Sequence, residues 1–527
     1  MSGIIESINP ATGEVIGRVE IPEDIEERIR KAKEFQGKWR KMSLSERRRL
    51  FENLRRAIFQ RHDEIARLIA MEQGKPYTEA ILAEVLSSLD AINYLIKNGE
   101  SILRNKPAPH FQPLFSSKKA HYRFEPFGTW AVISPWNYPF AIPFIEISHI
   151  LFSGNTVVFK PSPITPLVGQ KIVELFREAG FPEQAIALVH GGAREGEIII
   201  KSRHVDAVVF TGSVPTGRRI MELASEKPKK VILELGGKDP AIVLPDADIE
   251  RSADGIVWGA VMNAGQTCAS IERVYVHRSI YKELIQAIVE KVKELRIGNP
   301  LQDVDMGPMT VDFQLKKVIN QLREARNAGA KILHGGNLLK EKGPLFIEPA
   351  VLIDVNHSMG VMKEETFGPL IPIMPFDTME EATELANDSD YGLTASIWTR
   401  DREAARRLID AIQAGVITVN SHVYSFAEPE SVWGGVKESG IGRTHGRFGL
   451  LETVQIKYVD EDFSGKPEMW WYPYSDTIKD LSIKWLNLMS RPTLPHKIEI
   501  LTRLIPAIPR LMKHINLPAT IWKTLWY

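Results

Sequence analysis

The middle of this 527-residue chain consists of short β-branched and apolar runs, each separated from the next by a helix-like stretch. Runs at 129–134, 156–160, 187–190, 207–210 and 230–234 form a first series, and runs at 273–277, 350–353 and 415–420 a second. Strands joined through helices pair in parallel, because each crossover returns the chain to the same end of the sheet, and such sheets carry helices on both faces. The pattern therefore predicts an α/β fold with ligands at the carboxyl ends of the strands. Residues 24–97 read instead as charged amphipathic helices, with Leu50, Phe51 and Leu54 at helical spacing. Between 106 and 125, the runs 110–113 and 120–124 read as a hairpin inserted in the first domain. A chain of this length exceeds one ordinary core, so two or more domains are expected.

Charge and composition narrow the function classes. Lys+Arg and Asp+Glu number 66 each, so no net charge recruits nucleic acid. Hydrophobic residues at 44% and charged residues at 25% match a soluble enzyme rather than a disordered or spanning chain. The first seven residues lack a basic region followed by an apolar core, so no secretory signal is expected, and no uncharged apolar run reaches spanning length. The one cysteine cannot form an intrachain disulfide, which suits a reducing cytoplasm.

That cysteine, Cys268, follows Gly265-Gln266-Thr267. A free cysteine is commonly a small buried hydrophobe. Glu234, opening Glu-Leu-Gly-Gly-Lys, could equally be a solvated carboxylate or a strand-end cap, and Asn137 in Pro-Trp-Asn-Tyr-Pro a turn residue. Together, however, a thiol, a carboxylate and an amide are the parts of covalent carbonyl chemistry: nucleophile, base and oxyanion donor. Gly212-Ser213-Val214-Pro215-Thr216-Gly217 lies between a strand and a helix-like stretch, where unpaired N–H groups face a pyrophosphate. It is not GxGxxG, and two glycines five apart are by themselves nearer a structural turn.

With Lys160-Pro161-Ser162, Phe210-Thr211-Gly212-Ser213, Glu364-Glu365-Thr366-Phe367-Gly368-Pro369 and Gly440-Ile441-Gly442-Arg443 in the same order, the chain resembles the aldehyde dehydrogenase superfamily from Ile8 to about Asp460. The resemblance implies a Rossmann-type cofactor domain (1–105 and 127–235), an α/β catalytic domain (236–445), and a small β oligomerisation element (106–126 and 446–466) serving a dimer or tetramer. It implies that Cys268 adds to an aldehyde, giving a thiohemiacetal whose oxyanion lies between the Asn137 amide and the Cys268 N–H. Hydride then passes to nicotinamide, and Glu234 activates the water that hydrolyses the thioester. Relatives that pass the acyl group to coenzyme A lack such a glutamate, so a free acid is the expected product. For NAD or NADP the resemblance implies contacts from Trp136, Lys160, Ser162, Gly212, Ser213, Gly217, Leu235, Glu365 and Phe367; it supplies no metal ligand set.

One position departs from the pattern. Three residues after Lys160, where NAD-preferring relatives carry a glutamate, stands Pro163, which removes a carboxylate that would repel a 2′-phosphate. The loss leaves the choice between NAD and NADP open, with dual use compatible with the sequence. Tyr138 to Ile145 should line part of the substrate tunnel; without arginine it favours apolar aliphatic or aromatic aldehydes. A semialdehyde dehydrogenase, which would need a cationic anchor, and a non-catalytic binding relative are the alternatives.

Beyond the family's usual end, residues 467–527 form an extension. One apolar stripe runs through Ile478, Leu481, Trp485, Leu488 and Met489, a second through Leu501, Leu504, Ile508, Leu511 and Ile515, among several lysines and arginines. It reads as an arm packed on a subunit, a gate at the tunnel, or a peripheral membrane contact.

Overall fold

The computed structural model describes residues 3–110, 115, 118–465, 467–468, 470–490, 498 and 502. Contacts divide the chain into one unit of Met1–Ile102 with Pro126–Val454, and a second of Leu103–Glu125 with Gln455–Tyr527.

The first unit contains two large sheets. In one, six strands lie in the order Gly440–Ile441, Lys230–Glu234, Ala207–Thr211, Thr129–Ile133, Thr156–Lys160 and Ile186–Leu188. All neighbours are parallel except Gly440–Ile441, which runs against Lys230–Glu234. Every residue of Thr129–Ile133, Thr156–Lys160 and Ala207–Thr211 is buried, which is why these strands read as continuous apolar runs. The other sheet has seven strands, ordered Lys331–His334, Ala350–Ile353, Leu370–Phe376, Ile271–His277, Asp239–Val243, Thr394–Trp398 and Val416–Val419. Only Lys331–His334 is antiparallel to its neighbour. The α/β reading holds for both series of runs.

The helical prelude begins with Ile25–Trp39 and Leu44–Glu72. Ser43 starts the longer helix with a capping box: its hydroxyl accepts the Glu46 N–H while the Glu46 carboxylate reaches back to the Ser43 N–H. Phe51, Leu54, Ile58, Ile65 and Ile69 form its buried stripe. The helix delivers the loop at Gln73–Lys75 to the site described below.

In the second unit, apart from the end residues Pro126 and Val454, the strands Val454–Glu461, Lys119–Pro126 and Lys106–Pro107 form a three-stranded sheet. Lys106–Pro107 pairs with His121 and Tyr122, while of the expected hairpin run 110–113 only His110 is among the described residues. The ladder ends with the Ala108 N–H donating to the Ala120 carbonyl, since Pro109 has no N–H to continue it. His110 instead meets Asp460 at 3.1 Å, and 111–114 lie outside the described residues. The first apolar stripe of the extension lies on the helix Asp476–Ser490, where Ile478 and Trp485 are half-buried; the second lies outside the described residues. Among the described residues, no helix is long and apolar enough to cross a membrane.

Candidate active site

Cys268 is placed by a reversal of the chain after the helix Ile249–Val261. Asn263, Ala264 and Gly265 follow with φ of 57°, 54° and 71°, three successive left-handed residues. Side-chain-bearing residues rarely adopt this conformation and need the surroundings to hold it. At Gly265 no side chain fits, because a Cβ would lie 2.3 Å from the Gly368 carbonyl carbon.

The surroundings that hold it are polar and buried. Asn263 Nδ2 donates to the Asn137 carbonyl at 2.9 Å and to the Gln266 carbonyl at 3.2 Å, while Gln73 Nε2 donates to Asn263 Oδ1 at 2.8 Å. Asn137 Nδ2 donates to the Gln266 carbonyl at 3.0 Å, two residues from Cys268. Lys75 Nζ donates to the Asn137 carbonyl at 2.9 Å, pairs with Glu84 at 2.5 Å and stands 3.7 Å from the centre of the Tyr138 ring. Both Lys75 and Glu84 are fully buried, and burial drives the Lys75 ammonium below its ordinary range against the pull of Glu84. The second Glu84 oxygen accepts the N–H groups of Phe140 and Ala141, where the helix Ala141–Phe152 begins. Lys75, Glu84, Gln73 and Asn263 are site residues that the sequence did not disclose.

Glu234 ends its strand in register with Thr211 and is 5% exposed. Neither of its carboxylate oxygens has a partner among the described residues. Burial first, and then the neighbouring Glu146, push its carboxyl well above the ordinary range; Arg443 opposes them. Glu146 accepts a bond from Thr211 Oγ1 at 3.1 Å, and burial raises it to about 8. The half-buried Cys268 thiol is also pushed up, by desolvation and then by the carboxylates of Asp239, Glu234 and Glu365.

Two cavities meet at Cys268, the residue common to both linings. One, of about 470 Å³, is lined by Trp136, Asn137, Lys160, Ser162, Gly212, Ser213, Glu234, Leu235, Glu365 and Phe367. That brings together every expected site residue except Gly217. Gly217 instead permits close helix–strand packing: a Cβ there would lie 2.6 Å from Leu235. The cavity lies within the range of about 300–1,000 Å³ that suits a cofactor, and Gly212 and Ser213 place the N-terminus of the helix Val214–Ser225 against it. Lys160 Nζ donates to the Gly191 carbonyl at 2.9 Å; burial brings its pKa down to about 8. Glu365 and Phe367 are held from behind by Glu272, which accepts the Thr366 and Phe367 N–H groups at 2.6 and 2.7 Å and pairs with buried Lys238 at 2.7 Å. The Phe367 ring meets Trp136 edge-on at 5.5 Å. These features fit a dinucleotide.

The other cavity, of about 190 Å³, is apolar and aromatic, with Tyr138, Ile142, Trp258, Phe426 and Trp433 among its walls. Of the expected stretch 138–145, only Tyr138 and Ile142 reach it. Phe140 and Phe144 stack at 5.1 Å in the core instead. Val423 to Trp433, which sequence could not place, supplies much of the remaining wall. The lining holds no lysine or arginine; its carboxylate, Glu79, accepts the Asn263 N–H at 3.0 Å and is raised to about 7 by burial.

The family model described as "Aldehyde dehydrogenase family" matches residues 2–459. A 4,4'-diapolycopene aldehyde oxidase from Methylomonas sp is 36% identical, over 89% of this chain and 88% of its own. A 4-trimethylaminobutyraldehyde dehydrogenase B from Danio rerio is 37% identical over 86% and 88%. The NAD+ complex of a Bacillus cereus aldehyde dehydrogenase superposes with a TM-score of 0.84 at 33% identity, covering 88% of this chain and 94% of that one. With the α/β architecture and the thiol at the junction of two cavities, these likenesses show that the chain belongs to the aldehyde dehydrogenase family of oxidoreductases.

Proposed function

We propose that the protein oxidises an apolar aliphatic or aromatic aldehyde to the carboxylic acid with NAD or NADP, through a thioester on Cys268. The observation that carries this reading is the position of Cys268 between an apolar cavity and one shaped for a dinucleotide. The Cys268 thiolate forms a C–S bond to the aldehyde carbon, and the carbonyl electron pair moves to oxygen. The Asn137 amide and the Cys268 backbone N–H stabilise that oxyanion. As the oxyanion's electron pair re-forms the C=O bond, the C–H bond breaks and its hydride would pass to a bound nicotinamide, which leaves the thioester. Glu234 then takes a proton from water as its oxygen bonds to the thioester carbon, and the C–S bond breaks to release the acid and the thiolate. Trp136, Lys160, Ser162, Gly212, Ser213, Leu235, Glu365 and Phe367 hold the dinucleotide, with Gly217 shaping the helix behind it.

A cationic aldehyde is the second reading, for which Glu79 is the carboxylate present in the apolar cavity wall. A semialdehyde is disfavoured by the lack of a lysine or arginine in that wall. The test is production of NADH and NADPH from a set of aldehydes, with Cys268→Ala as control. Turnover in the parent and none in the variant is expected; equal turnover in both would overturn the thiol mechanism. The remaining proposals are a cytoplasmic location, a dimer or tetramer formed through 106–126 and 446–466, and an extension that packs on a subunit, gates the tunnel or touches a membrane.

A further inference from the structure

The cavity on the substrate side is small for what surrounds its mouth. Its 190 Å³ falls below the about 300–1,000 Å³ of sites that enclose a whole small ligand, so it houses the reacting end and a short length of chain. Its outer wall does not turn polar, as a pocket mouth facing water ordinarily does. Leu82, Trp258 and Tyr424 line it while remaining 56%, 47% and 53% exposed. Leu82 stands on the helical segment Ala80–Leu86, Trp258 on the helix Ile249–Val261 and Tyr424 at the start of Tyr424–Ala427, so three separate elements bring large apolar groups to one lip. Exposed large apolar groups gathered at one place mark contact sites, whereas scattered ones need no explanation.

We propose that this lip is a subsite for the tail of a long-chain apolar aldehyde, whose head reaches Cys268 through the cavity and whose remaining methylenes lie across Leu82, Trp258 and Tyr424. The proposal rests on the catalytic reading above and adds the length of the substrate. The occupant follows from continuity: the lip is the outer wall of the cavity that ends at the thiol. No cation lines the route to pair with an acidic tail. Glu79, the carboxylate in the wall, is engaged by the Asn263 N–H, and burial raises its pKa to about 7, which leaves it a weak anchor for an ammonium group.

Burial of each further methylene raises kcat/KM about three- to fourfold while apolar wall remains to be covered. The test is kcat/KM over straight-chain aldehydes from propanal to dodecanal, in the parent and in Leu82→Ser, Trp258→Ser and the double variant, with thermal melts to confirm folding. The expected result is a climb that continues past the length filling the cavity, and a dodecanal-to-propanal ratio that falls about tenfold in the double variant. A ratio unchanged by the lip variants overturns the proposal, as does a parent plateau at short chain length. Preference for 4-trimethylaminobutyraldehyde over dodecanal in the parent also overturns it. Absence of turnover with propanal and every longer aldehyde would overturn the catalytic reading itself, a distinct failure.

Discussion

Lys75 Nζ lies 2.9 Å from the backbone carbonyl of Asn137, so a buried ammonium fixes the residue whose side-chain amide stands beside the Cys268 loop. The same cation neutralises Glu84, whose other oxygen anchors the first turn of the following helix. Lys75→Met leaves Glu84 buried and unpaired, a loss of about 3–5 kcal/mol of stability. It also frees the Asn137 loop, and a shift of about 1 Å there lowers kcat by about 100-fold. Lys75→Met combined with Glu84→Gln should recover most of the melting temperature but not kcat. Recovery of both would make the pair purely structural.

Asn137→Ala removes the proposed oxyanion donor without touching the thiol. Its kcat should drop by about 10²–10³, with the alkylation rate of Cys268 in the absence of substrate changed little. Steady-state kinetics and iodoacetamide labelling measured side by side decide this.

Glu146 gives a pH prediction with a definite sign. Its carboxylate is among the causes that raise Glu234, so neutral Glu146→Gln should let Glu234 ionise at lower pH and move the acid limb of kcat downward. Stability carries a second sign. Folding raises Glu146 from 4.5 to about 8, so the folded state binds the extra proton and stability falls as pH rises through that window. Glu146→Gln should therefore raise the melting temperature more at pH 8 than at pH 5, with at most ~5 kcal/mol at stake. Equal shifts at both pH values would contradict it.

Pro163 lies in the lining of the larger cavity with Lys160. Pro163→Glu introduces a carboxylate toward the place where a 2′-phosphate would sit. The KM for NADP should rise about tenfold, equivalent to ~1.4 kcal/mol, while that for NAD holds or falls. Parallel changes in both would show that residue 163 does not read the ribose.

The residues proposed to carry the chemistry were legible because they cluster at strand ends and in short loops. Glu234, Gly212 and Lys160 each end or follow a strand of one sheet, and the alternating runs announced that sheet directly. Lys75, Glu84, Glu146 and Glu272 were not legible, since their meaning lies in partners far away in the chain. Lys75 is 62 residues from Asn137, and Glu272 is 94 from Thr366. The strand Leu370–Phe376 escaped notice for another reason: Pro372 and Pro375 stand inside it, and proline ordinarily argues against an interior strand. Gly217 is a motif residue outside the cavity lining, and its smallness serves packing against Leu235.

The meeting of two chambers at one sulfur has a consequence for traffic. On the proposed reading, once an acyl chain hangs from Cys268 it stoppers the greasy passage along its whole length. Water for deacylation must then arrive from the opposite side, through the room occupied by the dinucleotide and walled by Glu234. One doorway thus serves a departing guest and an incoming reagent, and the bulk of the substrate itself decides which doorway that is.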